Sequence, residues 1–280
     1  MATASAWLRY YGTLDLPVEV VRDDETGYAE AQRTPLGVVA ALTPWNFPIT
    51  PAMWKIAPAL RSGNTVVVTP SPYTPLTTLA MVQVLGAVLP AGVLSCVSGP
   101  DPLGATLVSH PAVRKISLTG STATGKQVAA AAAPDLKRIT LELGGNDPTI
   151  VLLDVNVPEI ALSLFWAAFA NNGQRWPAAK RVYAHESVHD ELVRGSGRDR
   201  RDVKVDDGMV PDAMLGPVNN RPQFDRIDHL VRRPLTRMPR WQRVVTPSTG
   251  PATSSRRPSC LDLRTAWLSS TRSSSARRSR

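Results

Sequence analysis

The sequence predicts an α/β protein built on a doubly wound parallel sheet, with further α/β elements behind it and a disordered carboxy-terminal tail. Three observations carry this expectation. From Leu36 onward, short β-branched runs alternate with alanine-rich helical stretches, the rhythm of βαβ units. A glycine-bounded turn, Gly120 to Gly125, stands where one of those strands passes into a helix. Beyond residue 231 the rhythm stops: 33 of the 49 positions in 232–280 are Arg, Ser, Thr or Pro, types with little capacity to fill a core.

The elements follow in order. Residues 18–21 and 28–32 flank the polar turn 23–27 and read as a hairpin. Residues 37–42 form a buried strand, 51–60 a helix, 64–68 a strand, 75–88 a helix and 93–98 a strand. Then come a helix at 103–109, a strand at 115–118, a helix at 124–133 and a strand at 138–143. The pattern continues with a strand at 149–153, a helix at 158–171, a strand at 181–184 and a helix opening near Ser187. The basic, glycine-rich stretch 194–201 falls where that helix should run and reads as a local slip.

Composition removes several classes. The chain of 280 residues carries 2 Cys, too few for a disulfide framework. Residues 1–11 lack the pattern of a secretory leader, and no window offers the roughly 18 apolar residues of a membrane span, so a soluble, cytoplasmic protein without membrane partners is expected. The formal charge of +9 invites a nucleic-acid reading. Residues 232–280, however, hold 12 Arg and one acid, Asp262, a net of +11, which leaves −2 for residues 1–231. A structured nucleic-acid-binding face is therefore not expected.

Two strings need a structural check. Gly120, Ser121, Thr122, Ala123, Thr124, Gly125, Lys126 spells a phosphate-binding loop, but Gln127 stands where a magnesium-binding hydroxyl belongs. Free N–H groups at a helix start still suit an anion, and the reading ranges from an ordinary tight turn through a triphosphate to a dinucleotide pyrophosphate. His185, Glu186, Ser187, Val188, His189 spells a zinc-protease string, which needs both histidines on one helix face. Ser187 is a natural N-cap, so the helix is expected to open between the two histidines, and no metal site is expected.

Three further motifs are more specific: Thr43, Pro44, Trp45, Asn46, Phe47, Pro48 after one strand; Leu141, Glu142, Leu143, Gly144, Gly145, Asn146 ending another; and Asn172, Gly173, Gln174. In this order and at these separations, they resemble the NAD(P)-dependent aldehyde dehydrogenase superfamily from about residue 7 to residue 230. The resemblance implies a Rossmann-like cofactor domain over 1–143, shortened at its front and carrying an oligomerisation hairpin near 18–32. It further implies a partial catalytic domain over 144–231, a small aldehyde as substrate, NAD or NADP as cofactor, and a homo-oligomer.

In that family a cysteine thiolate attacks the aldehyde, an asparagine amide helps hold the oxyanion, and a glutamate activates water against the thioester. Asn46 matches the amide and Glu142 the base. Thr43, Pro44, Trp45, Thr69, Gly99, Gly120, Ser121, Gly125 and Leu143 match cofactor-binding positions. Two departures stand out. The nucleophile position holds Trp176, whose indole has no nucleophilic heteroatom, followed by Pro177. Cys96, in an expected core strand, and Cys260, in the tail, cannot substitute. Loss of a covalent nucleophile costs ~10⁴–10⁶ in rate, so an impaired or inactive pseudoenzyme is expected. Thr69 replaces the family's lysine, forfeiting a charge-assisted hydrogen bond of about 1.5–3 kcal/mol, roughly ten- to a hundred-fold in cofactor affinity.

The tail has its own explanation. With one permitted codon choice, residues 250–256 read from the third base give Pro, Gly, Tyr, Phe, Val, Glu. Residues 270–277 shifted identically give Asp, Glu, Glu, Gln, Phe, Gly, Pro. Both resemble the carboxy-terminal half of an aldehyde dehydrogenase, so an out-of-frame tail is expected, and coding DNA without such text in its shifted frame refutes it.

Overall fold

The computed structural model describes residues 2–198 and 203–232. The expected disordered tail, from 233 on, lies outside the described residues, as do 199–202 of the expected slip. Backbone packing divides the chain into two compact units, Met1–Gly144 and a second beginning at Gly145.

The first unit opens with α1 (Ala2–Thr13) and the antiparallel hairpin of β1 (Glu19–Asp24) and β2 (Gly27–Ala31). The order is then β3 (Val38–Leu42), α2 (Ile49–Arg61), β4 (Thr65–Thr69), α3 (Leu76–Gly86), β5 (Leu94–Cys96), α4 (Leu103–Ser109), β6 (Val113–Gly120), α5 (Thr122–Ala132) and β7 (Arg138–Leu143). Strands β3 to β7 make one five-stranded sheet in the order β5-β4-β3-β6-β7, every pair parallel.

Alternation along β3 explains the two layers of helix. Val39 and Ala41 pack with Ala52, Ile56 and Val82 of α2 and α3 on one face. Ala40 packs with Val108, Val128 and Ala132 of α4 and α5 on the other. A strand buried on both faces must be apolar at every position, which is why 38–42 reads as a continuous run. The chain winds outward from β3 to β5, returns beside β3 as β6, and winds the other way to β7. The winding reverses between β3 and β6, and there the strand ends leave a crevice.

Several ends differ from expectation for local reasons. Asn64 is expected in a strand but closes the α2–β4 turn. Its Oδ1 accepts from the N–H groups of Leu36 (2.6 Å) and Gly37 (3.0 Å), and its Nδ2 donates to the Ala59 carbonyl (3.2 Å). The β6 strand runs past both ends of the expected 115–118, because Val113 and Gly120 also pair with β3 and β7 respectively. Cys96 ends β5 half-buried rather than lying in the core. Helix α1 is not expected at all. It is anchored by Ala4 and by Trp7, whose ring lies 6.1 Å from that of Trp54 on α2.

Before β7, the buried Lys137 donates to the Val108 and His110 carbonyls at the end of α4 (2.8 Å each) and lies 3.3 Å from Asp135. Replacing it by methionine leaves two carbonyls without a donor. Lys137→Met is expected to cost about 1–2 kcal/mol, read as a lower urea midpoint.

The second unit holds β8 (Asp147–Val151) and β9 (Ala179–Ala184), paired in parallel, with α6 (Val157–Phe169), α7 (Glu186–Arg198) and α8 (Arg221–Arg232). Its core joins Val151 and Val182 of the strands to Val157, Leu164 and Ala168 of α6 and Val188 and Leu192 of α7. A second cluster links Phe165 of α6 to Val203 and Leu215. Helix α7 opens between the two histidines, but its first amide partner is not Ser187. His185 accepts from the Ser187 N–H through Nδ1 (3.2 Å), so the histidine does the capping. Helix α7 also continues through Arg198, where the sequence suggested a slip.

Candidate active site

Two strand ends meet on one side of the crevice. The Thr43 N–H donates to the Thr69 carbonyl (3.0 Å), which ties the end of β3 to the end of β4. Thr43 and Thr69 are 6% and 8% exposed, and neither hydroxyl oxygen has a hydrogen-bond partner. Buried hydroxyls are seldom left so, since each costs about 1–3 kcal/mol. The loop that continues from Thr43 through Pro44, Trp45 and Asn46 is held by the turn before α3 and by its first turn. Thr74 donates to the Trp45 carbonyl (2.8 Å) and Thr78 to the Pro48 carbonyl (3.3 Å). Asn46 is thereby fixed, half-buried, ahead of α2.

The other side is the β6–α5 turn. Ser121 caps α5, accepting from the Thr124 N–H through Oγ (3.1 Å), so the helix begins at Thr122 and not at 124. Gly125 is buried beneath this turn. A Cβ there would stand 2.7 Å from a Leu143 methyl, so glycine lets α5 approach the end of β7 without displacing the Leu143 side chain. Gly99 follows β5, the parallel neighbour of β4, and packs on Leu103.

One residue of the site was missed in the sequence. Lys55 of α2 is 5% exposed, and its Nζ donates to Thr119 Oγ1 (2.8 Å) and Ser117 Oγ (3.3 Å) on β6. Glu142 is the register partner of Thr119 on β7 and shares its face of the sheet. Burial lowers the Lys55 ammonium to about 8, Glu142 pulls it back up, and Lys115 lowers it further. The only signal is weak: Lys55 is the one charge in 49–60, in the run Ile-Thr-Pro-Ala-Met-Trp-Lys-Ile.

In the second unit, Trp176 follows α6 and a short turn, with its indole partly exposed. Lys180 donates to the Trp176 carbonyl (2.6 Å). Among the described residues no cluster of three or more His, Cys, Asp or Glu is placed to hold a metal ion. No helix among them is long and apolar enough to cross a membrane.

The first unit thus gathers Thr43, Pro44, Trp45, Asn46, Thr69, Gly120, Ser121, Gly125, Glu142 and Leu143 at the carboxyl ends of adjacent strands. Two unpaired buried hydroxyls at the ends of β3 and β4, beside a turn that opens a helix, are the polar groups this crevice offers to a ligand. A parallel sheet wound in this order, with that crevice at its reversal, defines the class as a doubly wound α/β protein, whose ligand-binding residues stand at the carboxyl ends of the strands.

The particular family follows from comparison with known proteins. The model described as the aldehyde dehydrogenase family matches residues 2–238, and the chain belongs to that family. It is 43% identical over 208 residues to a putative aldehyde dehydrogenase of Gibberella fujikuroi, covering 74% of this chain and 44% of the relative. The crystal structure of a putative aldehyde dehydrogenase from Burkholderia cenocepacia superposes with TM-score 0.79 at 36% identity, over 82% of this chain and 48% of the other. A Cys-to-Ala mutant of aldehyde dehydrogenase C from Pseudomonas syringae, complexed with NAD⁺ and octanal, gives TM-score 0.75 at 34% identity, over 82% and 47%. The chain spans about half the length of the relatives it matches. The family oxidises aldehydes with NAD or NADP, and solved neighbours carry the cofactor.

Proposed function

We propose that this chain binds NAD or NADP in the crevice between β3 and β6 and does not oxidise aldehyde, because an indole stands where the family's reaction needs a thiolate. The single observation that carries this reading is Trp176, two residues past the Gly173-Gln174 pair. When bound, NAD(P)⁺ supplies the hydride acceptor. The Thr43 and Thr69 hydroxyls have the free capacity to take a ribose, and the Gly120 to Gly125 turn supplies amides for the pyrophosphate. Asn46 offers an amide donor to a carbonyl oxygen. Glu142 is the acid–base group, on the same face of the sheet as Thr119, to which the Lys55 ammonium donates. None of these groups forms a covalent bond to carbon, so a small aldehyde finds polarisation and a base but no nucleophile.

Isothermal titration of NAD⁺ and NADP⁺ tests the binding half. Saturable heat is expected with at least one dinucleotide. Gly125→Leu, which drives a side chain into Leu143, is expected to weaken it at least tenfold, about 1.4 kcal/mol, with the helical circular dichroism retained. No heat with either dinucleotide overturns the reading. A second, oligomerising role is favoured by the hairpin, where Val20, Val21 and Tyr28 are all exposed. Light scattering that finds only monomer removes it.

A further inference from the structure

The short turn between α6 and Trp176 is built in a way that stability alone does not explain. Asn171, Asn172 and Gly173 are three successive residues with positive φ, at 53°, 57° and 69°. Two of them carry side chains, and a left-handed non-glycine residue costs about 1 kcal/mol or more. Asn172 is 6% exposed and its Oδ1 is buried without a partner, a further cost. Strain held at adjacent positions persists only where the surroundings over-determine it.

Those surroundings are more than forty residues away in sequence. Asn172 donates through Nδ2 to the Gly216 carbonyl. Gln174 accepts through Oε1 from the Asn219 N–H (2.8 Å), while its Nε2 donates back to the Asn171 carbonyl (3.0 Å). The segment they grip runs directly into α8. Asn220 Oδ1 accepts from the Gln223 N–H (3.1 Å) and the Asn220 carbonyl from the Phe224 N–H (3.0 Å). The two side chains therefore bracket one residue stretch, 216–219, from both ends, and the start of α8 fixes that stretch in turn.

We propose that Asn172 and Gln174 are positioning residues: they latch the 171–174 turn onto 216–219, so that the start of α8 sets where the backbone of residue 176 stands. The identification of 176 as the reacting position rests on the proposed function above, whereas the latch itself does not. The left-handed turn reverses the chain out of α6, the two side chains stop it from relaxing, and Lys180 holds the carbonyl of 176 from the far side. A latch of this kind keeps a side chain at a fixed height and angle without touching what that side chain meets.

Amide hydrogen exchange of the full-length chain, followed by mass spectrometry of its peptides, tests the latch without dinucleotide or aldehyde. Asn172→Gly keeps the positive φ and removes the donor. Gln174→Met removes the acceptor, and Gln174→Glu restores it. Exchange at 174–178 and 216–220 is expected to quicken tenfold or more in Asn172→Gly and Gln174→Met, to return toward the parent in Gln174→Glu, and to stay unchanged in peptides of 38–143. In a Trp176→Cys background the same two variants are expected to alter the alkylation rate of residue 176 while that of Cys96 stays constant. Unchanged exchange at 174–178, or a uniform rise across the second unit, overturns the proposal. A failed dinucleotide titration leaves these readings untouched, so the two ideas fail separately.

Discussion

Given NAD⁺ or NADP⁺ and an aliphatic aldehyde such as octanal, the purified chain is expected to show no rise in absorbance at 340 nm above the protein-free control. The family's route depends on a thiolate that adds to the carbonyl and later leaves as the acyl group is hydrolysed, and every other group acts on that adduct. Indole cannot replace it. Its nitrogen lone pair belongs to the aromatic system and does not add to a carbonyl. Pro177 also removes one backbone donor beside it. On the proposed reading, Asn46 as the amide and Glu142 as the base give at best the residual effect left when a nucleophile is deleted, ~10⁴–10⁶ below full turnover. Cys96 offers no rescue, being half-buried at the end of β5, where burial raises its thiol pKa and disfavours the thiolate. Sustained reduction at an ordinary enzymatic rate contradicts this.

The second large effect is on stability. Lys55 is lowered to about 8 in the fold from an ordinary 10.5. Between those values the unfolded chain binds the proton and the folded chain does not. Stability therefore rises as pH is raised from about 8 toward 10.5, and below 8 the full cost of burying the ammonium is present. At 1.36 kcal/mol per unit the rise is up to ~3 kcal/mol. Urea midpoints at pH 7.5 and 10 in the parent and in Lys55→Met isolate it, because the other ionisable groups are common to both. The parent is expected to gain relative to the variant. Parallel pH dependences in the two proteins contradict the assignment.

The five-stranded sheet was legible because strands buried on both faces have little polar option: 38–42 contains no polar residue, and 65–69 has threonine only at its two ends. The crevice was legible through its glycines, since Gly120 and Gly125 mark a turn and a close approach in the sequence itself. Lys55 was not. A lone lysine in an apolar helix ordinarily carries its ammonium outward on its stem, and only the hydroxyls of Ser117 and Thr119, over sixty residues on, give this one a buried home. Asn64 was misplaced for a related reason, because a polar residue at a strand boundary does not announce whether it pairs in the ladder or closes the turn. The reach of Asn172 to Gly216 was invisible, as no local pattern encodes a contact between two loops. The position of Trp176 relative to the motif was legible by spacing alone, and that is the reading on which the proposed function turns.

A single-turnover experiment tests the central claim most directly. The chain, with tryptophan at 176 verified by peptide mass spectrometry, is loaded with dinucleotide at a concentration shown to saturate by calorimetry, then mixed with excess aldehyde. Absorbance at 340 nm and intact mass are followed together. The account predicts bound dinucleotide, no reduced equivalent and no acyl adduct. One equivalent of reduced dinucleotide per chain, formed on mixing, contradicts it.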